Sequence, residues 1–418
     1  MKITKIIGRE IFDSRGFPTV ECELILENAH GFTASVPAGA SKGTHEAVEL
    51  RDEKKRLAGK GVQQAIENIE QVIAPKLLGK EPNVVEMDMK MITMDATEDK
   101  SKLGANAILA VSCATLKAQS AMEGLQPFEL IADLCGVETV SIPIPLVNII
   151  NGGLHAENKL TIQEFMVVAK GQQTVRGSLE ATAELFYELK NVLKESGKST
   201  LVGDEGGFAP NFKDEKEALD TLMQAIENVK KKYKQDFLIA IDAAATSFYD
   251  QKTKKYKLGK KKYSSEELIE WYVQLSKDYP LFSIEDGLHE DDWEYWPKLT
   301  KKLGAKVQIV GDDLFTTNQD RIAKGLKEGA ANAVLIKPNQ IGTITETLQA
   351  IALCSQHELN PVISHRSGET EDTLIVDLAI GTNSGQIKLG GLSRGERIAK
   401  YNQLLRIEDR LSMSILEK

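Results

Sequence analysis

The chain has 418 residues and a net charge of −9, from 61 Asp and Glu against 52 Lys and Arg. That length exceeds one ordinary hydrophobic core, so two domains are expected. The acidic balance argues against broad binding to nucleic acid or anionic membranes, which rests on basic patches. No stretch reaches the roughly 18 to 20 apolar residues that span a bilayer, and MKITKIIGREIF lacks the apolar run of a secretory signal, so a cytoplasmic protein is expected. Cys22, Cys113, Cys135 and Cys354 are scattered with no C-x-x-C pair, which indicates neither a disulfide framework nor a structural zinc site.

The chain begins with β-type alternation. TKIIGREIFDSRGFPTVECELILEN and GFTASVPAG alternate apolar with polar residues around the turn signals GFP and NAHG, as antiparallel strands do. Helices follow, of which GANAILAVSCATLKAQSAMEG is the clearest, stopped by Gly124. This reads as an N-terminal α+β domain over residues 1–134. LCGVETVSIPIPL, with Pro143 and Pro145, reads as the crossover into a second domain over residues 139–418.

Further along, six apolar runs stop on a charged or strongly polar residue: FLIAID at Asp242, LFSIE at Glu285, VQIVGD at Asp312, AVLIK at Lys337, PVISH at His365 and GQIK at Lys388. Strands of a parallel βα barrel are buried along their length and polar at the carboxyl end, where the active site lies. Taken singly, each polar residue is the ordinary solvated end of a strand. The repetition at about 25 to 45 residues, the size of one βα unit, makes an α/β fold with a TIM-like barrel the expectation. Helical patterns fill the gaps: Ser264 and Glu267 form a capping-box signature before an apolar run, and TNQDRIAKGLKEG starts on a Thr/Asn cap and ends on Gly329. Three carboxylates and two lysines would then converge on one volume, which suggests a divalent metal beside a lysine acid or base. Arg366, Lys337, Lys388 and metal ions would make the pocket locally positive in an acidic protein.

Two further acidic spots precede this series. Glu164 lies inside the strand-like LTIQEFMVV, where an ionised side chain is costly to bury unless paired or metal-linked. Asp204-Glu205 precedes two glycines in VGDEGGFAPN, which alone reads as a tight loop.

These motifs resemble those of the enolase family. GREIFDSRGFPTVE, GASKGTHEAVELRD, NGGLHAENKLTIQEFM, VGDEGGFAPN, SIEDGLHEDDWEYW, VGDDLFTTN, LIKPNQIGT, ISHRSGETED and AKYNQLLRIE follow the family's order from residue 8 to about 408. The resemblance implies a barrel with an irregular ββαα start and the reversible dehydration of 2-phospho-D-glycerate to phosphoenolpyruvate, a step of glycolysis and gluconeogenesis. It implies Mg²⁺ held by Asp242, Glu285 and Asp312, with a second Mg²⁺ arriving with substrate at Ser41 in a lid loop. Enolase-superfamily sites are themselves a standard example of a Lys or His base working with one or two Mg²⁺ ions.

By the same resemblance Lys337 is the general base at C2, with a depressed pKa, and Lys388 faces the substrate carboxylate. Glu205 is the general acid for the C3 hydroxyl, with Glu164 beside it so that each carboxyl raises the other's pKa. Arg366 clamps the phosphate and Ser367-Gly368-Glu369 looks like a helix start offering free N–H groups. His155 and His365 lie near the substrate. As partners the resemblance implies a small phosphorylated anion and a second copy of the chain, in a homodimer or a multiple of dimers.

The chain departs from the family pattern at Ala38 and Lys42 in the lid, at Ser247 where a glutamate is usual, and in KLGGLSRGER near the end. Two other readings use the same residues. A superfamily relative acting on an unphosphorylated acid would leave Arg366 and Ser367 without an evident role. A binding protein on this fold would have lost turnover.

Overall fold

A computed structural model describes residues 1–40, 42–52 and 55–416. The N-terminal part is a three-stranded antiparallel sheet, β1 (Ile3–Phe12), β2 (Pro18–Leu26) and β3 (Gly31–Ser35), in that order. On β2 burial alternates residue by residue, so Val20, Cys22, Leu24 and Leu26 face inward, the period-2 pattern of a half-buried strand. Helices α1 (Val84–Asp95) and α2 (Ala105–Met122) accompany that sheet, and α2 is buried round most of its circumference. Helix α3 (Pro127–Cys135) sends Phe128, Leu130 and Ile131 into the apolar cluster of the second domain.

The second domain is a closed eight-stranded barrel surrounded by helices. Its strands are β4 (Ile144–Asn151), β5 (Glu164–Lys170), β6 (Asp236–Asp242), β7 (Leu281–Glu285), β8 (Gln308–Gly311), β9 (Ala333–Ile336), β10 (Asn360–Ser364) and β11 (Gln386–Lys388). Each strand neighbours the next in sequence, and β11 closes onto β4. Two helices, α4 (Val175–Glu195) and α5 (Glu215–Tyr233), lie between β5 and β6. From β6 onward strands alternate with helices α6 (Ser265–Asp278), α7 (Trp296–Leu303), α8 (Gln319–Glu328), α9 (Ile344–Gln356) and α10 (Leu374–Gly381), and α11 (Gly395–Leu416) ends the chain.

The start is a ββαα unit because β5 runs antiparallel to both β4 and β6. That reversal corrects the placement of Glu164. It is the first residue of β5 rather than an interior one, and it pairs in register with Asp242, the last residue of β6. The register also sets Glu285 level with Asp242. Three carboxylates of three adjacent strands therefore stand side by side at one end of the barrel.

Helix starts follow local chemistry. Ser264 Oγ accepts from Glu267 N and the Glu267 carboxylate accepts from Ser264 N, completing the capping box at α6. Asn318 Oδ1 accepts from Asp320 N and Arg321 N at α8, which ends at Gly329 with φ +68°.

One expected start is absent. Residues Ser367–Glu369 are not a helix N-terminus: Gly368 forms an antiparallel bridge with Ala38, each N–H donating to the other's carbonyl at 2.8 and 2.9 Å, and the helix begins only at Leu374. The N–H groups of 368 and 369 are used by the N-terminal domain, Glu369 N donating to Ser14 Oγ at 3.2 Å.

Candidate active site

The carboxyl ends of the parallel barrel strands and the amino end of β5 face the N-terminal domain, and the segment after β3 lies across them. Ala40 N donates to Ser367 Oγ at 2.6 Å, Thr44 N to Glu290 at 2.9 Å and Ala47 N to the Gln340 carbonyl at 2.8 Å. Ser41, expected as a lid ligand for a second metal, lies outside the described residues. Lys42 makes an ion pair with Glu49, which Arg51 also contacts, so its added charge is compensated locally. Ser247 is an exposed residue of a short turn after β6.

Beneath this cover Lys388, from the end of β11, stands among the carboxylates. Its ammonium donates to Glu285 at 2.8 and 2.9 Å and to Asp242 Oδ2 at 3.2 Å, and it lies 3.1 Å from Glu164 Oε1. All four side chains are at most 5 % exposed. Burial alone would lower the Lys388 pKa, but Asp242, Glu164 and Glu285 hold it well above its ordinary value. Burial and then Asp242 push Glu285 well up, with Lys388 opposing.

Asp312, just past β8, is shared by two partners. Lys337 Nζ makes a short contact with its Oδ2, and Gln340 donates to its Oδ1 at 2.9 Å. Burial would depress the lysine, yet Asp312 outweighs it, so Lys337 lies above its ordinary value and not below, against the expectation for a base. In this state the lysine is a charged ion-pair partner.

Glu205 comes from the turn before α5 and faces two imidazoles. His155 Nδ1 lies 3.3 Å from its Oε2 and His365 Nε2 lies 3.7 Å from its Oε1, while Asn148 donates to Oε2 at 3.1 Å. Glu164 Oε1 is 3.9 Å from the same His155 nitrogen. The two glutamates do not raise each other alike. Burial and then Glu205 push Glu164 well up. Burial would also raise Glu205, but His155, His365 and Arg397 outweigh it and hold it well below the usual range. A proton on the pair therefore rests on Glu164.

Arg366 follows β10 and meets Glu46 through two parallel bonds, Nη1 to Oε2 at 2.9 Å and Nη2 to Oε1 at 3.1 Å, with Asn339 Oδ1 a further 3.2 Å contact. Ser367 lies beside it under the lid. The cavity that these groups enclose is about 20 Å³, bounded by Glu164, Glu205, Lys337, His365, Arg366 and Lys388 among others. That is room for about one water.

All the expected site residues among those described thus meet at one mouth. Several contributors were not expected: Glu46, Gln340, Asn148 and Arg397. Each is a polar residue inside a segment quoted for the resemblance or beside one, but its partner lies tens to hundreds of residues away, and nothing local marks it.

The donor chemistry fits a divalent metal. Asp242, Glu285 and Asp312 offer hard oxygens, the ligands that magnesium prefers, and two of them already converge on one cationic nitrogen. Gln163 Oε1 and Glu164 Oε2 are buried oxygens with no hydrogen-bond partner among the described residues. Among the described residues, two groups each bring three ligand atoms within 4.8 Å of one another in the manner of metal ligands, His155 with Glu164 and Glu205, and Asp286 with Asp312 and Asp313.

An eight-stranded barrel with a ββαα start, polar at one mouth and covered there by an α+β domain, is the architecture of a TIM-like barrel protein with its polar site at that mouth. The sequence matches the model of the enolase N-terminal domain over residues 3–131 and that of the enolase C-terminal TIM barrel domain over residues 139–416. The chain belongs to the enolase family. It is a lyase-type enzyme of the enolase superfamily, whose members use a divalent metal, and the family implies a small phosphorylated substrate.

Proposed function

We propose that the chain is a phosphopyruvate hydratase (EC 4.2.1.11), interconverting 2-phospho-D-glycerate and phosphoenolpyruvate by loss and gain of water, in glycolysis and gluconeogenesis. The observation that carries this reading is one small cavity lined together by a lysine, Lys337, by the Glu164–Glu205 pair and by Arg366. A β-elimination from a carboxylate needs a base at the carbon next to that carboxylate and an acid at the leaving hydroxyl. An arginine suits the phosphate, since its fork of donors matches two oxygens.

In this reading Lys337 removes the C2 proton after its contact with Asp312 is released. Glu205 delivers a proton to the departing hydroxyl, supplied by the pair that holds it at rest on Glu164, with His155 bordering both. Lys388 faces the substrate carboxylate, and Arg366 with Ser367 and His365 borders the phosphate. Asp242, Glu285 and Asp312 would hold Mg²⁺, with a second ion at Ser41 and the substrate. Bound there, the metal would supply positive charge against the doubly charged ene-diolate. Closing the lid segment over the mouth excludes water from that species.

Further proposals follow from the family: a cytoplasmic homodimer or multiple of dimers, with domains at 1–134 and 139–418. The roles of acid and base separate in deuterated solvent. Glu205→Gln should still exchange the C2 proton of 2-phosphoglycerate while forming little product, and Lys337→Ala should lose both. Retention of exchange in Lys337→Ala would reject the base assignment.

A further inference from the structure

Arg397, in the first turn of α11, is completely buried, and its guanidinium reaches into the site. Nη1 donates to His365 Nδ1 at 2.7 Å and to the Arg366 carbonyl at 2.6 Å. Nη2 donates to the carbonyls of Ser367 at 2.5 Å and Asp204 at 3.3 Å, and Nε lies 3.4 Å from Glu396 Oε1. A guanidinium has donors only, so the imidazole nitrogen facing it must accept. His365 Nδ1 is therefore bare, and the ring's single proton lies on Nε2, the nitrogen 3.7 Å from Glu205 Oε1.

The backbone around the ring is built for this contact. Gly390 has φ +81°, and a Cβ there would come within 2.8 Å of the Glu205 carbonyl, 3.0 Å of His365 Cε1 and 3.0 Å of Arg397 Cδ. Only glycine allows the ring and the guanidinium to meet at this spacing. The charged groups acting on His365 are Glu205, near Nε2, Arg397, at Nδ1, and the more distant Lys388 and Lys337.

We infer that Arg397 is a positioning residue: it fixes His365 as the neutral Nε2–H tautomer, with the protonated nitrogen on the side of Glu205, and ties the turn carrying Glu205 to the segment carrying Arg366. A neutral ring held this way turns an N–H dipole, not a charge, toward Glu205 and does not exchange its own proton with it, which leaves Glu164 as the proton store. Burial acts in the same direction, holding the imidazole well below its ordinary pKa against the pull of Glu205. The consequence for turnover rests on the function proposed for Glu205, but the tautomer does not, because it is read without substrate.

The test is a long-range ¹H–¹⁵N correlation spectrum of the full chain labelled at histidine, without substrate at neutral pH, with His365 assigned by its loss in His365→Gln. The 6 histidines keep the spectrum simple. The expected result is a protonated Nε2 and an unprotonated Nδ1 at His365, and a shift toward mixed tautomers or imidazolium in Arg397→Lys. A single ammonium cannot serve the same four acceptors, so kcat should fall at least tenfold while KM stays within about threefold. A wild-type proton on Nδ1 overturns the inference, and that measurement stands even if the variant does not fold. A folded Arg397→Lys that keeps the tautomer, at whatever rate, overturns it as well. Loss of the tautomer with unchanged kcat overturns the link to turnover.

Discussion

Glu46 holds Arg366 by two parallel bonds of 2.9 and 3.1 Å, so the guanidinium proposed to clamp phosphate is already gripped by a carboxylate from the segment that covers the mouth. Both side chains are at most 7 % exposed. A phosphate that used the same two Nη donors would have to displace this carboxylate. Glu46→Gln should leave the arginine less well compensated and lower thermal stability, since breaking a buried pair costs on the order of 3–5 kcal/mol. Inorganic phosphate should raise the melting temperature of that variant more steeply than that of the wild type, because a ligand stabilises in proportion to its occupancy of the folded state. Equal phosphate responses would show that Glu46 and phosphate do not compete.

Lys388 neutralises Glu164, Asp242 and Glu285 together. Lys388→Met should therefore leave buried carboxylates crowded, with a fall in melting temperature that Mg²⁺ reverses in part and that chelation restores. The variant should also regain stability as pH falls, since burial holds Glu164 and Glu285 well above the ordinary carboxylate range and both take up protons in the folded state. A melting temperature unaffected by Mg²⁺ would count against Asp242, Glu285 and Asp312 as a metal site.

How much of this could be read from the sequence varies with the range of the interaction. The capping box at Ser264 and the Asn318 cap are local, and both were legible, as were the polar ends of β6 to β11, because each follows an apolar run directly. The direction of β5 was not, since a two-sided apolar run reads the same forward and backward, and with it went the position of Glu164. The supposed helix start at Ser367 failed for a tertiary reason: Ala38 takes the backbone of Gly368 into a bridge. Glu46 and Arg366 are 320 residues apart, and no pattern within either segment joins them.

Asp88 of α1 is buried against the barrel, accepting from Thr345 N at 2.9 Å and Thr345 Oγ1 at 2.7 Å at the start of α9. Burial pushes its pKa up to about 6 from an ordinary 3.8, against the pull of Ser112 and Thr345. The folded state then binds a proton that the unfolded state releases, so this residue's contribution to stability falls as pH rises from about 4 to about 6. The loss is of order 3 kcal/mol at about 1.4 kcal/mol per unit. Asp88→Asn should flatten the wild-type melting curve against pH in that window. An unchanged slope would place the titration elsewhere.

Gly390→Ala puts a methyl group against the Glu205 carbonyl and the His365 ring at a φ of +81°. The strain should cost about 1–3 kcal/mol, and kcat should fall because the displaced atoms belong to the acid side of the site. Calorimetry and steady-state kinetics on the same preparation check both. A variant with wild-type stability and rate would show that this approach is not tight.

The central claim is tested most directly by the ultraviolet absorbance of the enol phosphate, followed after adding 2-phosphoglycerate to the wild-type chain and to Lys337→Ala, each with and without Mg²⁺. The account predicts a rise for the wild type with Mg²⁺ and flat traces in the other three cases. A flat wild-type trace with Mg²⁺, or a near-normal rise for Lys337→Ala, would contradict it.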